Sequence, residues 1–465
     1  MASELKVPSV RDWSQPLWVR RHQSALLLIL VGIAVILRAL LAVRSPTPYG
    51  YVYDFYHEAI QKFYVLGYLP SSTDCWQCYH PPLLELVGLP LYLVGKWIVG
   101  GPGGLADPAL RFVAIVSLVS SGIVAYYSYR VLRLFRIRGA ELVVGTGLIL
   151  AFPCLFISSY GIEADILLTA VMTAFLYYAV TFFARTRPTN YASALRLGAL
   201  AGLACATKYS GLLAPAILVT LTGLHLVMGP HRLRMAREAG VALLVCLLVG
   251  SWKYVDNLEH YHTLLFANGS AQQGFVVADR PSYARTYDFS SLRIADLVAL
   301  TRGQVPPGHL TDIPFYRSVW TTLHAMAWGD MSFFSDPSRH GFYLQPYPRK
   351  AINPFVASTV LVLGLVPDGL ALIGFLATFR HRILWPFAVG AAITWAAYVA
   401  WFLAQESWAL KTKYILFLLP AYILYALLGW RWLRRLSPHV GRVVLLLLVT
   451  LLLATHVYLF NFAWS

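Results

Sequence analysis

Apolar stretches long enough to cross a bilayer recur along this chain, and the short connections between them alternate between rich in Arg and free of it. No other feature restricts the fold as much, because backbone in a bilayer must be satisfied within helices or a closed barrel. Runs near the roughly 20 residues a helical span requires fall at 24–43, 109–129, 140–158, 164–183, 193–207, 211–228, 238–255, 354–378, 383–403, 413–430 and 441–460. Arg20 and Arg21 precede the first; Arg130, Arg133, Arg136 and Arg138 follow the second. Further along come Arg185, Arg187 and Arg196, then Arg232, Arg234 and Arg237, then Arg380 and Arg382, then Arg431, Arg434 and Arg435. The alternate connections at 158–162 and 209–211 hold no Arg. This is the positive-inside pattern, and it predicts a cytoplasmic N-terminus and an external C-terminus.

Composition agrees with that reading. Of 465 residues, 58% are hydrophobic and 12% charged, half the charged share of about 25% in a soluble domain. A soluble enzyme, a disordered scaffold and a disulfide-stapled secreted domain are excluded. The net charge of +16 would suggest nucleic acid in a soluble chain. Here most of it lines short turns, so it reports orientation and no nucleic-acid partner is expected. Residues 1–23 are polar and basic, so no cleavable leader is expected.

One apolar run, 83–99, breaks the parity. Counting it as a span would move Arg130–Arg138 to the outside, and Pro90 and Gly95 within it weaken a crossing. It is read as a juxtamembrane helix. The expected protein is one membrane-embedded all-α unit over 1–465 with about eleven spans. Its two large outer segments are 45–82 and about 256–353.

The first outer segment carries Asp54, His57, Glu58 and Gln61 at helical spacing, with Asp54, Glu58 and Gln61 on one face. Carboxylates beside a membrane are costly unless they meet water, a cation or a reacting group. A carboxylate is also what takes a proton from an acceptor hydroxyl. The same spacing describes a solvated helix face. His80 stands before Pro81 and Pro82, whose fixed backbone orients it; a phosphate ligand and a helix cap both fit it. Cys75 and Cys78 read as a disulfide, as free thiols, or as half of a zinc site with His80 or His57.

Glu163 and Asp165 open the span that begins at 164, where they either cap a helix or face a polar cavity. Lys208, followed by Tyr209, runs against the Arg bias, and the small residues before it favour close helix packing. Lys411, Lys413 and Tyr414 repeat the pattern at another outer span start. A cation there snorkels or neutralises a phosphate. Within the spans, Arg38 and Lys208 are the polar groups singled out, with Arg38 expected to pair with Asp54 or a lipid headgroup. The second segment, too long for a passive connector, mixes aromatics with Arg280, Arg285, Arg293, Arg302 and Arg317. It opens on Trp252–Asn257 and includes Trp328-Gly329-Asp330.

Taken in order, these motifs resemble the GT-C glycosyltransferase superfamily, nearest the protein O-mannosyltransferase and aminoarabinose transferase group. The resemblance rests on Asp54 in the first outer loop, His80-Pro81-Pro82-Leu83, and Glu163. It continues with Gly-Leu-x-x-x-Thr-Lys-Tyr ending at Tyr209, the Trp/Tyr-rich exit to Asn257, and the run from Lys413 to Pro420. It implies a polyprenyl-phosphate-linked sugar as donor, transfer on the outer face with inversion, and a lipid, glycan or protein acceptor. Asp54 would be the base. Relatives carry a second acid directly after it, where this chain has Phe55, which leaves Glu58 as the substitute. His57, His80, Glu163, Asp165, Lys208, Tyr209, Lys413 and Tyr414 would bind substrate or lipid phosphate; relatives have Lys where His80 stands. The resemblance implies no required cofactor, with a divalent metal as an option, and a bacterial inner-membrane location. The oligosaccharyltransferase signature Trp-Trp-Asp-Tyr-Gly is absent, which disfavours en bloc transfer. The competing readings are a lipid-linked sugar transporter or flippase, and an outer-face polysaccharide ligase or polymerase.

Overall fold

The computed structural model describes residues 17–45, 55–101, 103–104, 106–183, 191–228, 232–266, 288–293, 295, 318–329, 333–336, 341–344, 353–404 and 412–464. Asp54, Lys411, Asp330, Arg280, Arg285, Arg302 and Arg317 lie outside the described residues. The helices in chain order are α1 (Leu17–Arg44), α2 (Tyr56–Leu66), α3 (Leu83–Val99), α4 (Leu110–Val113), α5 (Ile115–Leu134), α6 (Ala140–Leu150), α7 (Pro153–Ile157), α8 (Ala164–Phe183) and α9 (Tyr191–Thr207). They continue as α10 (Leu213–Met228), α11 (Arg232–Gly250), α12 (Trp252–Tyr261), α13 (Val319–Trp328), α14 (Pro354–Thr378), α15 (Trp385–Ala404), α16 (Leu419–Leu436) and α17 (Pro438–Trp464). Short 3-10 turns at Tyr209–Leu212 and Thr412–Leu418 lead into α10 and α16. Two strands, β1 (Phe333–Asp336) and β2 (Gly341–Leu344), pair antiparallel with Phe333 opposite Leu344.

The protein is an all-α, multi-pass membrane protein. Among the described residues, eight helices are long and apolar enough to cross a membrane. The other expected spans correspond to shorter or more charged helices: α6 continued by α7, α9, and α11. Pro153 opens α7 after a break at Phe152, where a proline costs no helical hydrogen bond. Large apolar side chains such as Leu28, Ile36, Leu248 and Leu446 remain exposed on the outside of the bundle, as a lipid-facing belt requires. Two of the Arg-rich connections meet at Glu141. Glu141, at the start of α6, takes Arg431 at 2.6 Å and Arg434 at 2.9 Å, while Arg431 also donates to the carbonyl of Arg136 at 3.1 Å.

Within the bilayer, close packing has to supply what the hydrophobic effect does not. The most extensive helix pair is α14 with α16. There Gly374 and Gly429 face each other's backbone, so that a Cβ on Gly374 would overlap the Tyr425 carbonyl and one on Gly429 the Leu370 carbonyl. Gly198 and Gly202 let α9 lie equally close to α11. Arg38, buried in α1, donates to the carbonyl of Leu150 at 3.2 Å and to that of Ala34 at 3.3 Å, with its guanidinium 5.4 Å from the Phe156 ring. The break between α6 and α7 thus supplies an acceptor inside the bundle.

A Gly429→Leu substitution is expected to separate α14 from α16 and destabilise the protein by at least about 2 kcal/mol. A thermal melt in detergent, with Gly122→Ala (open space beside the site of the added methyl) as control, measures the loss.

Candidate functional site

At the bundle end opposite Glu141 and its arginines, three chain segments bring four charges together. Glu163 and Asp165 stand at the start of α8, and both are almost completely buried. Lys208, just past the end of α9, places Nζ 2.7 Å from Asp165 Oδ1. Lys413, in the 3-10 turn before α16, lies 3.5 Å from Glu163 Oε1 and 3.6 Å from Asp165 Oδ2. The Tyr414 ring is shared by both ammonium groups, at 4.9 Å from Lys208 Nζ and 5.8 Å from Lys413 Nζ, a cation–π arrangement. Five residues singled out from the sequence therefore form one charge-balanced cluster.

Lys208 and Tyr209 serve different neighbourhoods: Lys208 is extended, φ −164° and ψ 156°, and Tyr209 opens the 3-10 turn that follows. Tyr209 Oη lies 2.8 Å from the carbonyl of Tyr79 and 3.0 Å from that of Phe266, which share its one proton, and it accepts from Asn257 Nδ2 at 2.8 Å. The Ser72 hydroxyl donates to Asn257 Oδ1 at 3.2 Å. His80 sits edge-on to Tyr209 with ring centroids 5.6 Å apart, and stacked beside Tyr56 at 6.1 Å. The Tyr209–Asn257 junction thus ties the first long segment to α12.

A cleft of about 240 Å³ opens beside His80, with Pro82, Trp252, Lys253, Asp256 and Tyr261 among its walls. Lys253 is buried and pairs with Asp256 at 2.9 Å. Glu85, in the first turn of α3, is buried near Lys253; desolvation pushes its carboxyl up to about 8, against the pull of Lys253. The sequence reading passes over Glu85, although an acid three residues beyond Pro-Pro in an apolar run is an expensive choice.

The α2 residues behave differently. His57 faces inward, and burial lowers its imidazole to about 4, so it is neutral near pH 7. Partial burial raises the Glu58 carboxyl, opposed by Lys62 one turn on. Phe55, next to Asp54, takes left-handed backbone with φ +59°, an uncommon conformation for a bulky residue that costs about 1–3 kcal/mol. Its ring lies 6.5 Å from Trp76. Cys75 and Cys78 are joined as a disulfide, Cα atoms 5.1 Å apart. Among the described residues no group of three or more His, Cys, Asp or Glu is placed to hold a metal; around Glu163 and Asp165, lysine ammonium groups occupy positions from which a cation would bind.

One group in the spans also escaped notice. Asp368 in α14 receives the Tyr422 hydroxyl at 2.5 Å and faces His324 Nδ1 at 2.5 Å. An acid in an otherwise apolar span is the signal that would have found it.

No family model matches this sequence, and no curated protein does so either. Solved structures do. The archaeal oligosaccharyltransferase AglB from Archaeoglobus fulgidus, in complex with an inhibitory peptide and a dolichol-phosphate, superposes with a TM-score of 0.54 at 14% identity, over 96% of this chain and 56% of that one. The fold is the GT-C fold. The same archaeal enzyme tethered to an acceptor peptide gives 0.54 at 15% identity. ArnT from Cupriavidus metallidurans matches at a TM-score of 0.40 and 13% identity, over 88% of this chain and 77% of that chain. This chain spans about half the length of the archaeal enzyme.

Two outcomes follow from the charges. Lys413→Met leaves two buried carboxylates with one cation and is expected to cost about 3–5 kcal/mol, read as a lowered denaturation midpoint; Lys413→Arg should recover most of it. Glu85 holds its proton more tightly folded than unfolded, where its value is 4.5. Its contribution is therefore complete below about 4.5 and lost as pH rises through about 8. Thermal melts from pH 5 to 9 should show wild type losing stability across that window relative to Glu85→Gln.

Proposed function

We propose that the protein is a glycosyltransferase that moves a sugar from a polyprenyl-phosphate carrier to a lipid, glycan or protein acceptor. The observation that carries this reading is the Glu163–Asp165–Lys208–Lys413 cluster beside the His80–Tyr209 junction, in the fold of an oligosaccharyltransferase seen with a dolichol-phosphate. In this reading the chain is one membrane-embedded unit, and the cluster faces the side away from the Arg-rich connections. That side is extracytoplasmic by the positive-inside rule; a bacterial inner membrane is the assigned location.

The chemistry is a single displacement. Asp54 accepts the proton of the acceptor hydroxyl as the oxygen attacks the anomeric carbon, and the lipid phosphate leaves with its electron pair. Glu58, four residues on in the sequence and in the first turn of α2, is the second acid. A phosphate leaving group needs charge stabilisation more than it needs a proton. Each ammonium carries three donors, so Lys208 keeps two beyond its Asp165 contact. Lys413, 3.5 Å from Glu163 and 3.6 Å from Asp165, adds a second positive charge to the phosphate surroundings. His80 and Tyr414 complete the phosphate surroundings. Glu163 and Asp165 hold the lysines in place and keep their charge from repelling; no metal is required.

Purified protein given a labelled polyprenyl-phosphate sugar and candidate acceptors should release free lipid phosphate, unaffected by EDTA. Asp54→Asn should lower turnover at least about 100-fold, and Lys208→Met by about 100-fold or more in kcat. Intact turnover in Asp54→Asn would remove the base assignment. No turnover with any donor, together with movement of lipid-linked sugar across liposomes, would establish a transporter instead.

A further inference from the structure

Helix α13 follows the long 256–353 segment's Ser318 cap, yet it does not lie on the surface: nearly every residue from Val319 to Trp328 is buried. It packs against α14, α7 and the Thr412–Leu418 turn. Gly364 of α14 makes room for the Trp328 ring, which an added Cβ would meet at 2.6 Å, and Phe152 closes on its other side with centroids 5.1 Å apart. At the centre of this contact His324 reaches two helical partners. Its Nε2 lies 2.8 Å from the carbonyl of Leu361, and its Nδ1 lies 2.5 Å from Asp368 Oδ2. Tyr422 of α16 donates to the other carboxyl oxygen at 2.5 Å.

A carbonyl only accepts, so Nε2 carries a proton. The Nδ1 contact then holds a further proton, on the ring or on the carboxyl, and in either arrangement the His324–Asp368 pair has no net charge. That neutrality is what an apolar span tolerates. The Asp368 side chain is 38% exposed, so without its partners it would present an acid to lipid. The far side of α13 reaches the candidate site. The Thr412 hydroxyl donates to the carbonyl of Leu323, directly before His324, at 2.7 Å. Lys413 and Tyr414 are the next residues, and Tyr414 and Ile415 pack on Val319 and Leu323.

We propose that His324, Asp368 and Tyr422 form a polar latch that holds α13 inside the bundle and, through the Thr412–Leu323 bond, sets the position of Lys413 and Tyr414. All three are positioning residues. The latch itself stands on contacts independent of any reaction; its effect on turnover rests on the glycosyltransferase reading.

Hydrogen–deuterium exchange of the full chain in nanodiscs tests the latch without any substrate. Asp368→Leu should raise exchange at least tenfold in both 319–328 and 412–418, with 164–183 unchanged. Asp368→Asn should restore protection, because its amide accepts from Tyr422 and donates to a neutral His324. Tyr422→Phe, which removes one bond and no charge, should shift both segments the same way by a smaller factor, and serves if Asp368→Leu does not fold. Unchanged exchange in 319–328, a rise there that 412–418 does not follow, or an Asp368→Asn profile matching Asp368→Leu would each overturn the latch. In turnover of a polyprenyl-phosphate sugar, Asp368→Leu should lower kcat tenfold or more at nearly constant KM, with recovery in Asp368→Asn. A wild type inactive on every donor would remove the glycosyltransferase reading, and the exchange result would still decide the latch.

Discussion

Two carboxylates sit buried at the start of α8, and the architecture around them is organised by the need to match their charge. Glu163 and Asp165 are nearly inaccessible to solvent, so each negative charge has to be met by protein. The two cations come from different places, Lys208 from the end of α9 and Lys413 from the turn before α16. Neither lysine alone balances the pair, and neither segment is adjacent in sequence to the acids. The end of the bundle closes only when all three segments arrive together. Burial of paired ions is a weak source of stability. Lys208 keeps donors beyond its Asp165 contact.

Around that point the site divides in two. The ionic half ends at Tyr414; the other half is aromatic and neutral, built from His80, Tyr56, Tyr79 and Tyr209. One residue step separates them, where extended Lys208 gives way to the 3-10 turn that Tyr209 opens. The aromatic half is fastened to α12 through Asn257, and the cleft beside it has Lys253 and Asp256 of the same helix in its wall. A phosphate and a sugar make these two kinds of demand, one on charge and one on shape.

Much of this was legible in the sequence, for local reasons. Apolar length and Arg bias are read within a window of one helix, so the expected spans fall on helices, and the run 83–99 has the extent of α3. Glu163, Asp165, Lys208 and Lys413 stood out because each runs against the composition around it. What was not legible depends on partners far apart in the chain. Nothing near His80 announces Tyr209, and nothing near Asp368 announces His324. Arg38 and Lys208 drew attention as polar groups in spans while Asp368 was passed over. Helix α13 escaped because ten residues, seven of them apolar, are too few for a span and show no amphipathic pattern to mark a surface helix. Its burial is decided by Gly364 and Phe152, which belong to other elements.

Arg38 adds a consequence for how the chain is made. Its guanidinium is held by the carbonyl of Leu150, which lies 112 residues further along. When the first helix enters the bilayer during synthesis, that acceptor has not yet been translated, and neither has the Phe156 ring that covers the charge. A lone Arg within the last two turns of a newly inserted helix is costly, so α1 settles once α6 and α7 reach it. Until the α6–α7 break arrives, the insertion machinery or a local water defect has to shelter one positive charge.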